Sequence, residues 1–232
     1  MPSTNAWLYP GVRDRYPVAL GERSVELELK PDMDESLERY EAFWNRAVAD
    51  RPPVAIAFPR VAVAAGAADR QANARDYREL WLDLDARVER EIGQLEETVL
   101  AGDAPPVIWP NMGPEVFSGW CGAGYEFGET TAWSIPSILD WERDAPAARF
   151  DADHPLFRAT LELTDRLIER GRGRFIVGLT DFHPGGDHLA ALRDPAQLAM
   201  DLVDHPQWVK KMVEVATRDY FTAYDIFYER IR

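Results

Sequence analysis

Four polar side chains able to take part in chemistry fall within nine residues of one another: Thr180, Asp181, His183 and His188, in the stretch RFIVGLTDFHPGGDH at 174–188. A carboxylate at the end of a strand can act as general base or stabilise a cationic intermediate, and a histidine beside it exchanges protons near neutral pH. Asp181 and His183 are the expected acid/base pair, with Thr180 and His188 as substrate-binding neighbours. Pro184, Gly185 and Gly186 allow the loop its tight turns. A structural use of the same residues stays open: Asp181 and Asp187 can cap the helix that follows, and His183 can satisfy a loop carbonyl. Asp181, His183 and His188 also offer donors suited to zinc or iron, the basis of an alternative reading as a metal-dependent hydrolase, although their spacing matches no strong metal motif.

Two further positions deserve the same question. Arg60 follows a short apolar run, and an arginine at a strand mouth clamps a carboxylate through two parallel hydrogen bonds; Arg70, Asn73 and Arg75 lie a little further on. Its structural alternative is a surface arginine paired with one of the many acids. Trp109 and Asn111 put an aromatic wall beside an amide that both donates and accepts, with Gly113 allowing close approach to the backbone. Core packing for Trp109 and a turn for Asn111 explain the same letters. The expected substrate-binding set is thus Arg60, Trp109, Asn111, Thr180 and His188.

Other chemistries lack their usual letters. There is no Gly-x-Ser-x-Gly elbow, no Gly-x-x-x-x-Gly-Lys phosphate loop and no His-Glu-x-x-His. Cys121, the one cysteine, has no neighbouring base and reads as a small buried hydrophobe; alone it makes no internal disulfide, which fits a cytoplasmic location. A formal charge of −14 repels a phosphate backbone, so nucleic acid is not an expected partner. No stretch reaches the ~18 uninterrupted apolar residues of a membrane span.

The elements that must position these groups follow from hydrophobic period and breakers. Residues 1–31 read as an irregular arm with one possible edge strand in SVELELK, and 32–232 as one α/β domain. Asp32 or Asp34 opens a helix with an apolar stripe of Leu37, Tyr40, Phe43, Trp44, Ala47 and Val48, stopped by Pro52 and Pro53. Residues 54–58 are short, continuously apolar and bounded by proline, as a strand buried on both faces of a parallel sheet would be. The segment 69–100 reads as one or two helices, 107–109 as a second strand, 115–120 as a short helix and 130–135 as a strand-like excursion. A helix starting at Asp151 or Asp153, a third strand at 175–179 and three helices broken by Pro195 and Pro206 complete the chain. Helix and strand alternate, which produces a parallel sheet covered by helices, with ligands at the C-terminal strand ends.

The run GLTDFHPGGDHLAALRDPAQLAMDLVDHPQWVKKMVEVATRDYFTAYD resembles the uroporphyrinogen decarboxylase superfamily, which includes the decarboxylase and the cobamide-dependent methyltransferases. Gly122-Ala-Gly-Tyr-Glu126-Phe127 is similar to the family's turn before a strand, and PVAIAFPR to its first strand, which ends in a functional arginine, here Arg60. The resemblance spans about residues 35–230. It implies a (β/α)8 barrel of which this chain holds about the N-terminal half, and a diverged lyase or corrinoid-linked methyltransferase relative acting on an anionic small molecule. Decarboxylation of that kind needs no cofactor, whereas methyl transfer would need a corrinoid partner. Two departures accompany it: Arg70-Gln-Ala-Asn-Ala-Arg75 only echoes the family's Arg-Gln-Ala-Gly-Arg and lies further downstream, and Cys121 does not match a zinc ligand of the methyltransferases. Half a barrel leaves strand edges open, so a truncated or non-catalytic binding module completed by a second chain, a homo-oligomer, is the alternative.

Overall fold

The computed structural model describes residues 25–61 and 77–232. The arm before residue 25, the expected helix start at 69, and Arg70, Asn73 and Arg75 lie outside the described residues. The remainder is mixed α/β, with short strands among more extensive helices.

Of the arm, Leu27 and Lys30 form a single bridge, and the backbone N–H groups of Glu28 and Leu29 donate to the carbonyls of Gly173 and Arg174. Helix α1, Met33–Trp44, buries Met33 and Ser36, not the expected stripe: Phe43 and Trp44 are 55% and 78% exposed, and the helix stops at Trp44, before Pro52. Strand β1, Ala55–Pro59, corrects the sequence reading outright, because it is exposed along its whole length and pairs antiparallel. Its partner is a segment read from sequence as helix. Among the described residues of 69–100, α2 (Tyr77–Leu82) and α3 (Leu84–Glu96) are helical, with the Asp83 carboxylate capping α3 through the Ala86 N–H. Thr98–Gly102 then turns back as β2 against β1, so Val99 belongs to a strand and not to a helix face.

The flanking bonds Asp103 N–H to Val54 O and Arg60 N–H to Glu97 O fix which β1 residues face β2: those at even positions. Pro59 therefore sits on the open edge, where a missing N–H costs no ladder bond.

Val107–Ile108 (β3) begins the part of the fold that carries the site. After it come α4 (Val116–Trp120), the hairpin β4 (Gly124–Phe127) with β5 (Ala132–Ile135), α5 (Trp141–Asp144) and a 3-10 turn at Ala145–Ala147. Helix α6, Pro155–Gly171, has Pro155 in its first turn, and its N-terminus is capped by the His154 imidazole, which accepts from the Leu156 N–H; Leu156, Phe157, Leu163 and Leu167 supply its buried stripe. Ile176–Val177 is β6, followed by α7 (Gly186–Arg193), α8 (Pro195–Asp204) and α9 (Pro206–Ile231).

The expected parallel pairing holds for the second and third sequence strands. Val107 lies opposite Ile176 and Ile108 opposite Val177, with bonds at either end from Ile176 N–H to Pro106 O and from Gly178 N–H to Ile108 O, both 2.8 Å. Ion pairs Arg166 to Asp85, Arg170 to Glu89 and Arg174 to Glu96 keep α3 and α6 in register and running the same way. Each helix returns the chain to the start of a strand, as parallel strands require.

Two cores hold these layers. Trp120, fully buried, packs edge-on to Phe157 at 5.0 Å and stacks on Phe227 at 5.7 Å; rings of this size contribute about 2–3 kcal/mol each when fully buried. A second cluster joins Ile138, Trp141, Leu192, Val209, Met212 and Ala216 under α7–α9. The strands among the described residues form three two-stranded sheets and do not close into a barrel.

Candidate active site at the ends of the parallel strands

Parallel strands deliver their following loops to one end, and a single bond joins the two loops here: the buried Thr180 hydroxyl donates to the Pro110 carbonyl at 2.6 Å. Thr180 therefore serves backbone geometry and not an open pocket. Beyond it burial alternates along the chain. Thr180 and Phe182 point inward, the latter packing on Phe117, Trp120, Tyr220 and Phe227 at 4.9–5.8 Å, so Asp181 and His183 are thrown outward.

Those two residues meet. His183 Nε2 lies 2.9 Å from Asp181 Oδ1, with the two side chains 43% and 46% exposed. A bond at Nε2 fixes the proton there in the neutral ring and leaves the lone pair on Nδ1, so Asp181 selects the tautomer in which Nδ1 can take a proton. The arrangement is an oriented imidazole in reach of solvent.

His188 is not with them. It is 3% exposed, its Nδ1 lies 3.0 Å from the Ser118 hydroxyl, its ring packs 4.5 Å from Phe117, and burial holds its pKa down at about 4. It is a core residue, neutral at physiological pH, which removes the third ligand of the hydrolase reading. Among the described residues no three His, Cys, Asp or Glu side chains come together as a metal site. Cys121 is buried as the sequence suggests, and burial pushes its thiol pKa far up, away from any nucleophilic role.

Asn111 is half-buried and turns its side-chain oxygen to the Gly113 N–H at 2.8 Å, the turn role that its sequence allowed. Gly113 itself is required: at φ +102° a Cβ would lie 2.4 Å from the Tyr125 hydroxyl. Trp109 is 42% exposed beside Gly178, where an added Cβ would come 3.3 Å from the Trp109 Cβ.

Arg60 is not brought to this end. Its Nε donates to the Glu96 carbonyl at 2.9 Å, and Glu96 in turn pairs with Arg174, just before β6. Arg60 therefore neutralises the C-terminus of α3, at the starts of the strands. The cation at their ends is Arg87, nine positions earlier on α3 and hence ~13 Å away along the helix axis. Arg87 is 5% exposed and donates to the Asn111 carbonyl at 2.6 Å; its guanidinium lies over the Trp81 ring at 4.9 Å, and the Glu91 carboxylate is 3.4 Å away. Burial works against its charge, and its Nε has no hydrogen-bond partner among the described residues. The sequence did carry a sign of it: Arg87 falls in step with Leu84, Val88 and Ile92 on the buried stripe of α3.

No helix among the described residues is long and apolar enough to cross a membrane. Comparison with protein-family models, with characterised proteins and with solved structures gives no match for this chain.

Proposed function

We propose that this chain is a uroporphyrinogen-decarboxylase-like protein, the N-terminal portion of an α/β barrel, and a diverged lyase or corrinoid-linked methyltransferase relative acting on a small molecule. The observation that carries the reading is the Asp181–His183 pair, 2.9 Å apart and open to solvent on the loop that follows a parallel strand. In this reading His183 Nδ1 moves the proton and Asp181 holds the ring and stabilises its charged form. Arg60 is no longer the substrate's anchor, because it lies at the opposite strand ends. A decarboxylase of this kind needs no cofactor; methyl transfer would draw on a corrinoid partner.

The test is an activity screen of the purified chain for CO2 release from small carboxylic acids and for methyl transfer with an added methylcobamide. Asp181→Asn and His183→Gln should each lower any activity found by about 10²–10⁴-fold, the usual range for losing a general acid/base. Activity untouched by both substitutions would remove the pair from the mechanism.

A second reading is favoured by one observation: Val54, just before β1, and Ile56 and Phe58 on it are 48%, 51% and 47% exposed, on a two-stranded ribbon too small to be stable alone. A binding module completed by a second copy would cover them. Light scattering on the eluting protein should then give twice the monomer mass, and a monomer at all concentrations argues against it.

A further inference from the structure

Between the β1–β2 ribbon and α3 runs a groove of about 340 Å³ that ends at Trp109 and Asn111. It lies outside the Asp181–His183 pair, neither of which lines it, and nothing in the proposed acid/base chemistry uses it.

Part of its lining is apolar, with Leu95 from α3, Leu100 from β2, and Val107 and Ile108 from β3; Gln94, Thr98 and Asn111 add neutral polar groups. At one side stands the indole of Trp109, 42% exposed. Among the described residues that line it, Glu91 is the one ionisable side chain. Glu91 is 29% exposed, and its ion pair with Arg87 is long at 3.4 Å, against about 2.8 Å for a tight charge-assisted bond. Arg87 gives its short bond to the Asn111 carbonyl instead. The Glu91 carboxylate thus keeps acceptor capacity toward the groove. The Thr98 hydroxyl is already engaged, donating to the Gln94 carbonyl at 2.7 Å.

An anion would meet no cationic lining there, one carboxylate, and a chain of net charge −14. A cation meets the reverse: a carboxylate, an indole whose ring face attracts positive charge, and apolar side chains for its body. We propose that this groove binds an organic cation with a flat or apolar body, a quaternary or protonated amine, with its charge between Glu91 and the face of Trp109. The volume is at the lower end of small-molecule pockets, which restricts the ligand to a compact one.

Calorimetric titration of the full chain with benzyltrimethylammonium tests this, with phenylacetate and benzyl alcohol as anionic and neutral counterparts. The cation should bind about tenfold or more tightly than either. Glu91→Gln and Trp109→Leu should each weaken it by about two- to fivefold, the size expected for one partly exposed charge or cation–π contact, and Ala57→Phe should block the groove. Asp181→Asn should leave the affinity unchanged, which separates this site from the acid/base reading. Absence of binding, equal binding of phenylacetate, or wild-type affinity in the folded Trp109→Leu and Ala57→Phe variants would overturn the proposal.

Discussion

The Thr180 hydroxyl and the Pro110 carbonyl, 70 residues apart in sequence, share a 2.6 Å hydrogen bond that ties the loops after β3 and β6 together. Both groups are buried, so neither has water as a substitute. Replacing Thr180 with the isosteric valine keeps the volume but leaves the carbonyl unsatisfied, which should cost about 1–3 kcal/mol. Urea unfolding checks this, and an unchanged midpoint would show that the two loops do not depend on the bond.

Gly113 should be equally intolerant for a different reason. Its φ of +102° disfavours any side chain, and a Cβ would also lie 2.7 Å from the Ala132 Cβ. Gly113→Ala is expected to cost about 2 kcal/mol or more through strain and overpacking, and to disturb the Tyr125 hydroxyl bond to the Met112 carbonyl. Thermal melting measures the loss; a variant as stable as wild type would contradict the geometry.

Asp103 is the hub of the ribbon end. Fully buried, it accepts from Arg51 Nη1 at 2.5 Å, Arg39 Nη1 at 3.0 Å and the Val54 N–H at 2.8 Å, and the Arg51 guanidinium holds its carboxyl well below the usual carboxylate range. A carboxyl with a lowered folded pKa stabilises the fold above its unfolded pKa and loses that contribution as pH falls through the acid range. Asp103→Ala leaves the Val54 N–H without its acceptor and takes from Arg51 its carboxylate partner, while Arg39 keeps Asp50, and it should cost about 3 kcal/mol, the lower end for a broken buried pair because Arg51 is partly exposed. Denaturant titration at neutral pH and again near pH 2 should show the difference between variant and wild type shrinking in acid.

His188 sets a second pH dependence, of the same direction and from the opposite chemistry. Its ring is neutral in the fold down to about pH 4, against 6.5 when unfolded, with Ser118 and Phe117 packed on it and Asp219 the nearby charge. Between those values the unfolded chain binds more protons, so stability present above pH 6.5 is lost as pH falls toward 4. The shift corresponds to about 3 kcal/mol. A His188→Gln variant should flatten the stability profile across that window, and an unaltered slope would assign the pH dependence elsewhere.

Much of the fold was legible in the letters. The 3.6-residue stripe of α6, the proline starts of α8 and α9, and the short apolar runs that became β3 and β6 all follow from local propensity and pattern, which act over a few residues. Even the order of elements around β3 and β6 implied their parallel pairing. The Asp181–His183 juxtaposition was also implicit, because the two residues are separated by one apolar position, Phe182, that packs inward.

Other features only tertiary packing decided. The run at 54–58 has the composition of a buried strand, yet with β2 turning back upon it from the end of α3 it lies in an exposed ribbon. Thr180, Asp181, His183 and His188 are equivalent polar letters in sequence; the inward packing of Phe182 and the start of α7 send the first and last into the core and the middle two to the surface. Arg60, expected at the strand mouth, instead bonds the Glu96 carbonyl at the C-terminal end of α3, while Arg87, which the sequence did not single out, reaches the Asn111 carbonyl. Pattern specifies which residues are buried or paired locally. Which end of the molecule a charge occupies depends on how the elements cross, and that is set by contacts tens of residues apart.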